Sequence, residues 1–438
     1  MTYRALRIAA VALLPLFGTA CQVAQRVVRP VVVLQQDPQD RVFANLVRAD
    51  GDGAPAHGDL EAPHRLRPCC AFGSDIGVKV GAMPISGLRL DNVVQANDLG
   101  RHKYNSGLVS IKNPAEDGFI SPERNGLVFT CRGAFMDTAH IRDYADLTVY
   151  LANRIDEAMN DGFSFEMPPE GGERWVHVAA VKPELIERVG RQELIIKMAQ
   201  WAATQLAIWH EAATWYGWSS LGLFPETASA FSPEDLYSNL VGIMLASELI
   251  RAGLADNVAQ YETGMDVAMP EVLRRMLAAP SDVTRAALRA LDGRWWNSSQ
   301  LLPDKRLLLR RNFDIGPELR PWMIPATGTP DAETVRDYCE RKGDGMFDLR
   351  HPTEVGGELI RYLRNGNGIL ILRYPTEVGG ELLRYLVRIE VRPKPPLSHL
   401  LRRETLDGGW VPQEEFPAIV RRAHMESIGE FGMGSDKP

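Results

Sequence analysis

Between Asn125 and Ala158 the hydrophobic period of the chain changes. Leu127 to Thr130 is an apolar run of strand length, Cys131-Arg132-Gly133 reads as a turn, and from about Phe135 the period becomes helical, running to about Asn160. At about 100° per residue, Met136, His140, Tyr144, Leu147, Leu151, Ile155 and Ala158 form one stripe, with Asp137 at its edge. A carboxylate, an imidazole and a phenol therefore point inward, where polar groups need partners. Pro183 opens the next helical segment, Gly190 interrupts it, and a second long helix is predicted from Glu193 to Tyr216. Its Ala199, Ala203, Ala207, His210, Thr214 and Gly217 share a face whose small residues admit a close neighbour, with Glu211 beside the histidine. A third helix starts at Ser232-Pro233-Glu234-Asp235, with a serine cap, an early proline and acids at the positive end, and it closes at Gly253. Asp235, Asn239, Gly242 and Ala246 share one of its faces.

Around these helices the pattern is shorter in period. From His64 to Val94, alternating runs broken by Gly and Pro predict a β-rich lead-in with hairpins, and Trp175 to Val181 reads as a strand. Beyond Asp256 come shorter helices and a Pro-rich basic connector from Leu301 to Pro325. A near-duplicate follows, HPTEVGGELIRYL from His351 and YPTEVGGELLRYL from Tyr374, and each copy predicts a hairpin. LLRYLVRIEV reads as a strand, and the tail after Pro396 as partly irregular. The fold class is α+β: a mainly helical central bundle over 61–255 with the β lead-in, then a separate C-terminal α+β region over 256–438.

A chain of 438 residues, 45% hydrophobic and 24% charged, has the composition of a globular protein with a large core. The net charge of −7 and the lack of a long basic run exclude a nucleic-acid partner. The start changes the picture most. Arg4 and Arg7 precede an apolar run from Ile8 to Phe17, and Gly18-Thr19-Ala20 precede Cys21. Residues 1–20 read as a secretory signal, too short to span a bilayer. Small residues ending at a cysteine resemble a bacterial lipobox, which makes Cys21 a lipid anchor in the membrane, residues 21–60 a tether, and Gln22 an outer-membrane sorting residue. In an oxidising envelope, Cys69, Cys70, Cys131 and Cys339 then permit three disulfide pairings.

Three chemistries compete for the inward polar groups. Asp137, His140, His210 and Asp235 are candidate ligands for Zn²⁺ or another divalent metal, with Glu211 as general base for a hydrolase. His210-Glu211 opens like a zincin motif, but Thr214 stands where the second histidine belongs. Alternatively Cys131, next to a helix start, is a nucleophile with His177 as its base. The third reading is a non-catalytic structural or interaction protein in which the polar cluster only locks the helices together. Exposed Trp215 to Trp218 and Arg294 to Trp296 would mark a contact surface, although such residues more often belong to the core. The sequence has no phosphate loop, dinucleotide fingerprint or serine elbow.

The runs RLRPCCAFG, NGLVFTCRGAFMDTAHIRDYAD, WHEAATWYG and SPEDLYSNLVG resemble a family of bacterial lipoproteins known only as a domain of unknown function. The resemblance covers roughly residues 60 to 255. It implies a lipid-anchored envelope protein and brings no activity with it.

Overall fold

The computed structural model describes residues 60–64, 67, 70–107, 122–220, 226–325, 328–343, 369–401 and 408–431. The signal and tether, Cys21, Cys69 and the first copy of the duplicate lie outside the described residues. The fold is α+β, with helices predominating and small antiparallel sheets.

The lead-in is a hairpin, β1 (Ile76–Val80) and β2 (Met83–Leu90). A second hairpin pairs β3 (Leu127–Thr130) with β4 (Ala134–Asp137). The helical period expected from Phe135 is thus preceded by a strand, and α1 runs Thr138–Ala158. Asp137 ends the strand because its side chain accepts the Ala139 and His140 amide hydrogens, capping the helix. β5 (Phe163–Met167) and β6 (Gly172–Val178) follow, then α2 (Pro183–Val189), α3 (Arg191–Trp215), α4 (Asp235–Arg251), α5 (Val258–Arg275) and α6 (Ser281–Ala290). Gly190, at φ +90°, makes the break between α2 and α3 that the sequence anticipates.

In the C-terminal third, β7 (Glu318–Leu319), α7 (Pro330–Gly343) and β8 (Leu372–Arg373) lead to the second copy of the duplicate. That copy forms the predicted hairpin, β9 (Glu377–Val378) with β10 (Glu381–Leu382). The strand expected from Leu382 begins later: α8 (Leu383–Leu386) is a helical turn, and β11 covers Val387–Pro393. α9 (Leu397–Leu400), β12 (Val411–Pro412) and α10 (Phe416–Phe431) complete the order, so much of the expected irregular tail is helical.

β11 lies between β6 and β12 in a four-stranded antiparallel sheet, order β12-β11-β6-β5. In β6, Arg174, Val176 and Val178 face inward while Glu173, Trp175 and His177 alternate outward; Val387, Ile389 and Val391 of β11 do the same. Residues on both sides of position 255 therefore share one sheet and one apolar core, and the C-terminal residues do not stand apart. Trp215, Trp295 and Trp296 are buried and Trp218 packs half-buried against the core.

The centre of the molecule is α1, which packs on both α3 and α4. The approach to α4 is close enough to involve backbone. A Cβ placed at Gly242 would lie 2.2 Å from the Ile141 carbonyl oxygen. No side chain can move aside there, which explains a glycine inside a buried helix despite its propensity cost. We expect Gly242→Ala to lower stability by roughly 1–3 kcal/mol through overpacking. Chemical denaturation of wild type and variant measures this, and an unchanged midpoint would contradict the backbone contact.

Candidate metal centre between three buried helices

The close crossing of α1 and α4 brings their polar ends together. Asp137 Oδ1 accepts from the amides of Ala139 (2.7 Å) and His140 (3.4 Å), and Oδ2 accepts from the Cys70 amide at 3.1 Å. Its own N–H donates to Ser238 Oγ on α4 at 2.9 Å. His140 Nδ1 lies 2.9 Å from Asn239 Oδ1, an acceptor suited to the Nδ1–H tautomer. The Nε2 lone pair is then turned toward Asp235, whose Oδ1 lies 3.9 Å away.

Asp137, His140 and Asp235 each offer one ligand atom, and these atoms lie within 4.8 Å of one another, all buried. Donors around one cation at about 2.0–2.2 Å cannot stand more than about 4.4 Å apart, so a slight contraction would close the set. Two further carboxylates adjoin it. Glu211 Oε2 accepts the Phe231 amide at 2.5 Å. Glu234 Oε2 accepts the Ser232 hydroxyl at 2.6 Å, and the Ser232 amide reaches Asp235 Oδ2 at 3.2 Å. The other oxygen of each acid, Glu211 Oε1, Glu234 Oε1 and Asp235 Oδ1, is buried with no hydrogen-bond partner.

The electrostatics follow from burial and crowding. Burial, then the charges of Glu211, Glu234 and Asp137, push Asp235 well above the ordinary carboxylate range. Glu234 rises to about 8, through burial first and then Asp137 and Glu211, although Ser232 pulls it back. Burial raises Glu211 as well, against the opposing pull of His210 and His140. The Cys70 thiol is raised by burial and by Asp137. The guanidinium nearby belongs to Arg311, which burial depresses to about 10 even though Asp235 and Glu211 favour its charge. The acids thus outnumber the cations that face them.

His210 meets His140, as the helix faces require: the rings cross edge to face with centroids 5.7 Å apart. Its Nδ1, however, is bound to Glu170, which also pairs with Arg174. Burial lowers the imidazole's affinity for a proton, but the Glu170 charge and hydrogen bond outweigh it and raise His210 to about 9. His210 is therefore a cation beside the cluster, and the set of mutually close ligand atoms does not include it. A protonated imidazole has no lone pair to give a metal.

The cysteine reading is corrected outright. Cys131 is bonded to Cys339, so it presents no thiolate. His177 stands on the outer face of β6 against Ser164 Oγ (2.6 Å) and Glu390 (3.3 Å). Cys70, the described cysteine outside the disulfide, is buried and its raised thiol is a poor nucleophile.

Residues 57–325 match the family model described as "Protein of unknown function (DUF4056)", reaching well past residue 255. No curated protein and no solved structure matches the chain.

The Glu170–His210 pair has a pH signature. The folded pKa of about 9 stands above the ordinary 6.5, so the stabilisation is complete below about pH 6.5 and lost as pH rises through 9. Wild type should lose a few kcal/mol over that window, and Glu170→Gln should not. Proton NMR should place the His210 midpoint far above that of the variant; equal midpoints would remove the pair from the account.

Proposed function

The chain belongs to the DUF4056 family of proteins of unknown function, and we propose that it is an exported envelope protein built around a divalent-cation centre that serves metal-assisted hydrolysis. One observation carries the reading: three buried carboxylate oxygens of one acidic cluster have no donor, and one of them, Asp235 Oδ1, lies 3.9 Å from His140 Nε2. Each orphaned buried acceptor costs roughly 1–3 kcal/mol, and a cation offsets several at once. Asp137, His140 and Asp235 would hold the ion, through an N/O donor set suited to Zn²⁺ or another divalent first-row metal. Bound there, the ion would supply Lewis-acid activation of a water or of an acyl or phosphoryl group. Glu211 and Glu234, with raised pKa values and one open oxygen each, are the groups able to take and return the proton. Asn239 orients His140 through its Nδ1, and the His210 ring packs edge to face against it.

A second reading has its own support. Every group of the cluster is nearly inaccessible, and both oxygens of Asp137 already accept amides, as in a purely structural hub. The two readings part on metal content. The purified chain should carry about one ion per molecule by elemental mass spectrometry, and Asp235→Asn or His140→Ala should weaken Zn²⁺ binding about 100-fold or more. Binding should release protons and tighten as pH rises, because Asp235, held well above the ordinary carboxylate range, must ionise to bind the ion. If no metal binds and His140→Ala merely lowers the melting temperature, the structural hub replaces the metal centre.

Export and anchoring belong to the same proposal. The charged, apolar and small-residue succession ending at Cys21 supports acylation, and the Cys131–Cys339 bond suits an oxidising compartment. A palmitate analogue fed to cells should label wild type and spare Cys21→Ser. Equal labelling of both would dispose of the anchor.

A further inference from the structure

The β1–β2 hairpin has no part in the site described above, yet it holds half of the large apolar side chains exposed among the described residues. These are Val80, Met83, Ile85, Leu88 and Leu90, with Met83 74% and Val80 55% exposed at the tip. The register puts them on one side. Cross-strand partners share a face and neighbours alternate. Ile76 pairs with Leu90 and Val80 with Met83, while Gly77 pairs with Arg89 and Lys79 with Pro84 on the other face. The register shift between Gly77 and Lys79 restores the phase, so that Ile85 and Leu88 join the apolar side. The hairpin is therefore amphipathic, with every residue of β2 exposed.

Its base is held. The Lys79 amide donates to the Leu302 carbonyl at 2.9 Å, the Leu302 amide donates to that of Gly77 at 2.9 Å, and Lys79 Nζ reaches Asp304 at 3.2 Å. Arg89 pairs with Asp75 at 2.6 Å. The tip projects from this support: a Cβ at Gly81 or Gly87 would meet nothing within 4 Å.

We infer that this hairpin is a second membrane contact, laying its apolar face into the interface of the bilayer. Residues 76–90 contain Lys79 and Arg89 and no acid, and each cation is paired with an acid at the base, Asp304 and Asp75, so the tip is uncharged and its apolar side chains carry the contact. The chain between Cys21 and Leu60 points the same way. Its thirty-eight residues span at most about 130 Å, which confines the body to the neighbourhood of the bilayer and lets a weak insertion act at high effective concentration. The inference rests on the envelope reading for its setting but not for its measurement.

The test uses the full chain as Cys21→Ser, without an acyl group, and vesicles of phosphatidylethanolamine and phosphatidylglycerol. The protein should float with these vesicles, and Val80→Asp combined with Met83→Asp should cut partitioning roughly tenfold or more. Met425→Asp, at an exposed position on α10, should leave it unchanged. Met83→Trp should shift its emission to the blue when vesicles are added. Equal flotation of wild type and the double Asp variant overturns the inference. So does a dimer that the double variant dissociates, since the apolar face would then belong to a second copy of the chain. An unlabelled Cys21 in cells alongside hairpin-dependent flotation would remove the anchor and leave the hairpin standing.

Discussion

A helix buried on every side cannot carry charged groups unless each is answered by another. α1 is such a helix: Asp137, His140, Arg142, Asp143 and Asp146 are all nearly inaccessible along its first turns. The molecule answers them in two ways. On one flank, Arg67 reaches Asp143 at 2.7 Å, Asp146 at 3.1 Å and Glu123 at 2.5 Å, His102 holds Asp146 at 2.9 Å, and the Tyr261 hydroxyl adds a donor at 2.8 Å. Burial opposes the charge of Asp146, but His102 and Arg67 outweigh it and hold its pKa below the ordinary range. On the other flank, the acids of α3 and α4 meet His140 with fewer cations than carboxylates. Guanidinium and imidazole reach every carboxylate of the first set, although burial still raises Asp143 to about 8, whereas the second set is left with open acceptors. That contrast, within one protein, sets the second flank apart from ordinary core polarity.

How much of this was legible in the sequence depends on the range of each interaction. The faces of the three long helices were readable because periodicity is local. They placed His140, His210, Asp235 and Asn239 inward, and the structure brings those groups together. Gly242 could be recognised as part of a small-residue face, though not as a contact with the Ile141 carbonyl. Glu170 could not be found, because it lies in a loop whose Pro and Gly residues signal only a turn. Its effect on His210 arises across 40 residues of sequence, and it turns an expected ligand into a cation. Glu234 was visible as a helix-start acid, but nothing local says that its second oxygen is stranded.

Two boundaries were misread for a related reason. Phe135 fits both the helical period and a strand, and pairing with Phe129 in the β3–β4 hairpin decides the matter. The C-terminal third looked separable because its patterns are short and follow a long connector. β11 instead completes the sheet begun by β5 and β6, a pairing between residues more than two hundred positions apart. Only a long-range ladder could reveal that, and the alternation of Val387, Ile389 and Val391 shows one buried face without naming its neighbour.

The disulfide has a topological consequence. Cys131 and Cys339 close 208 positions of chain into a covalent ring. Asp137, His140, Glu170, His210, Glu211, Glu234, Asp235 and Asn239 all lie on that ring, whereas Cys70 and the N-terminal residues lie outside it. The folded centre is thus assembled from segments that share one circle, and opening the helices does not let those segments diffuse apart without limit. A protease that trims the tether or the tail leaves the circle whole. In an unfolded molecule the circle still holds every candidate ligand, so the centre can be regained by local rearrangement.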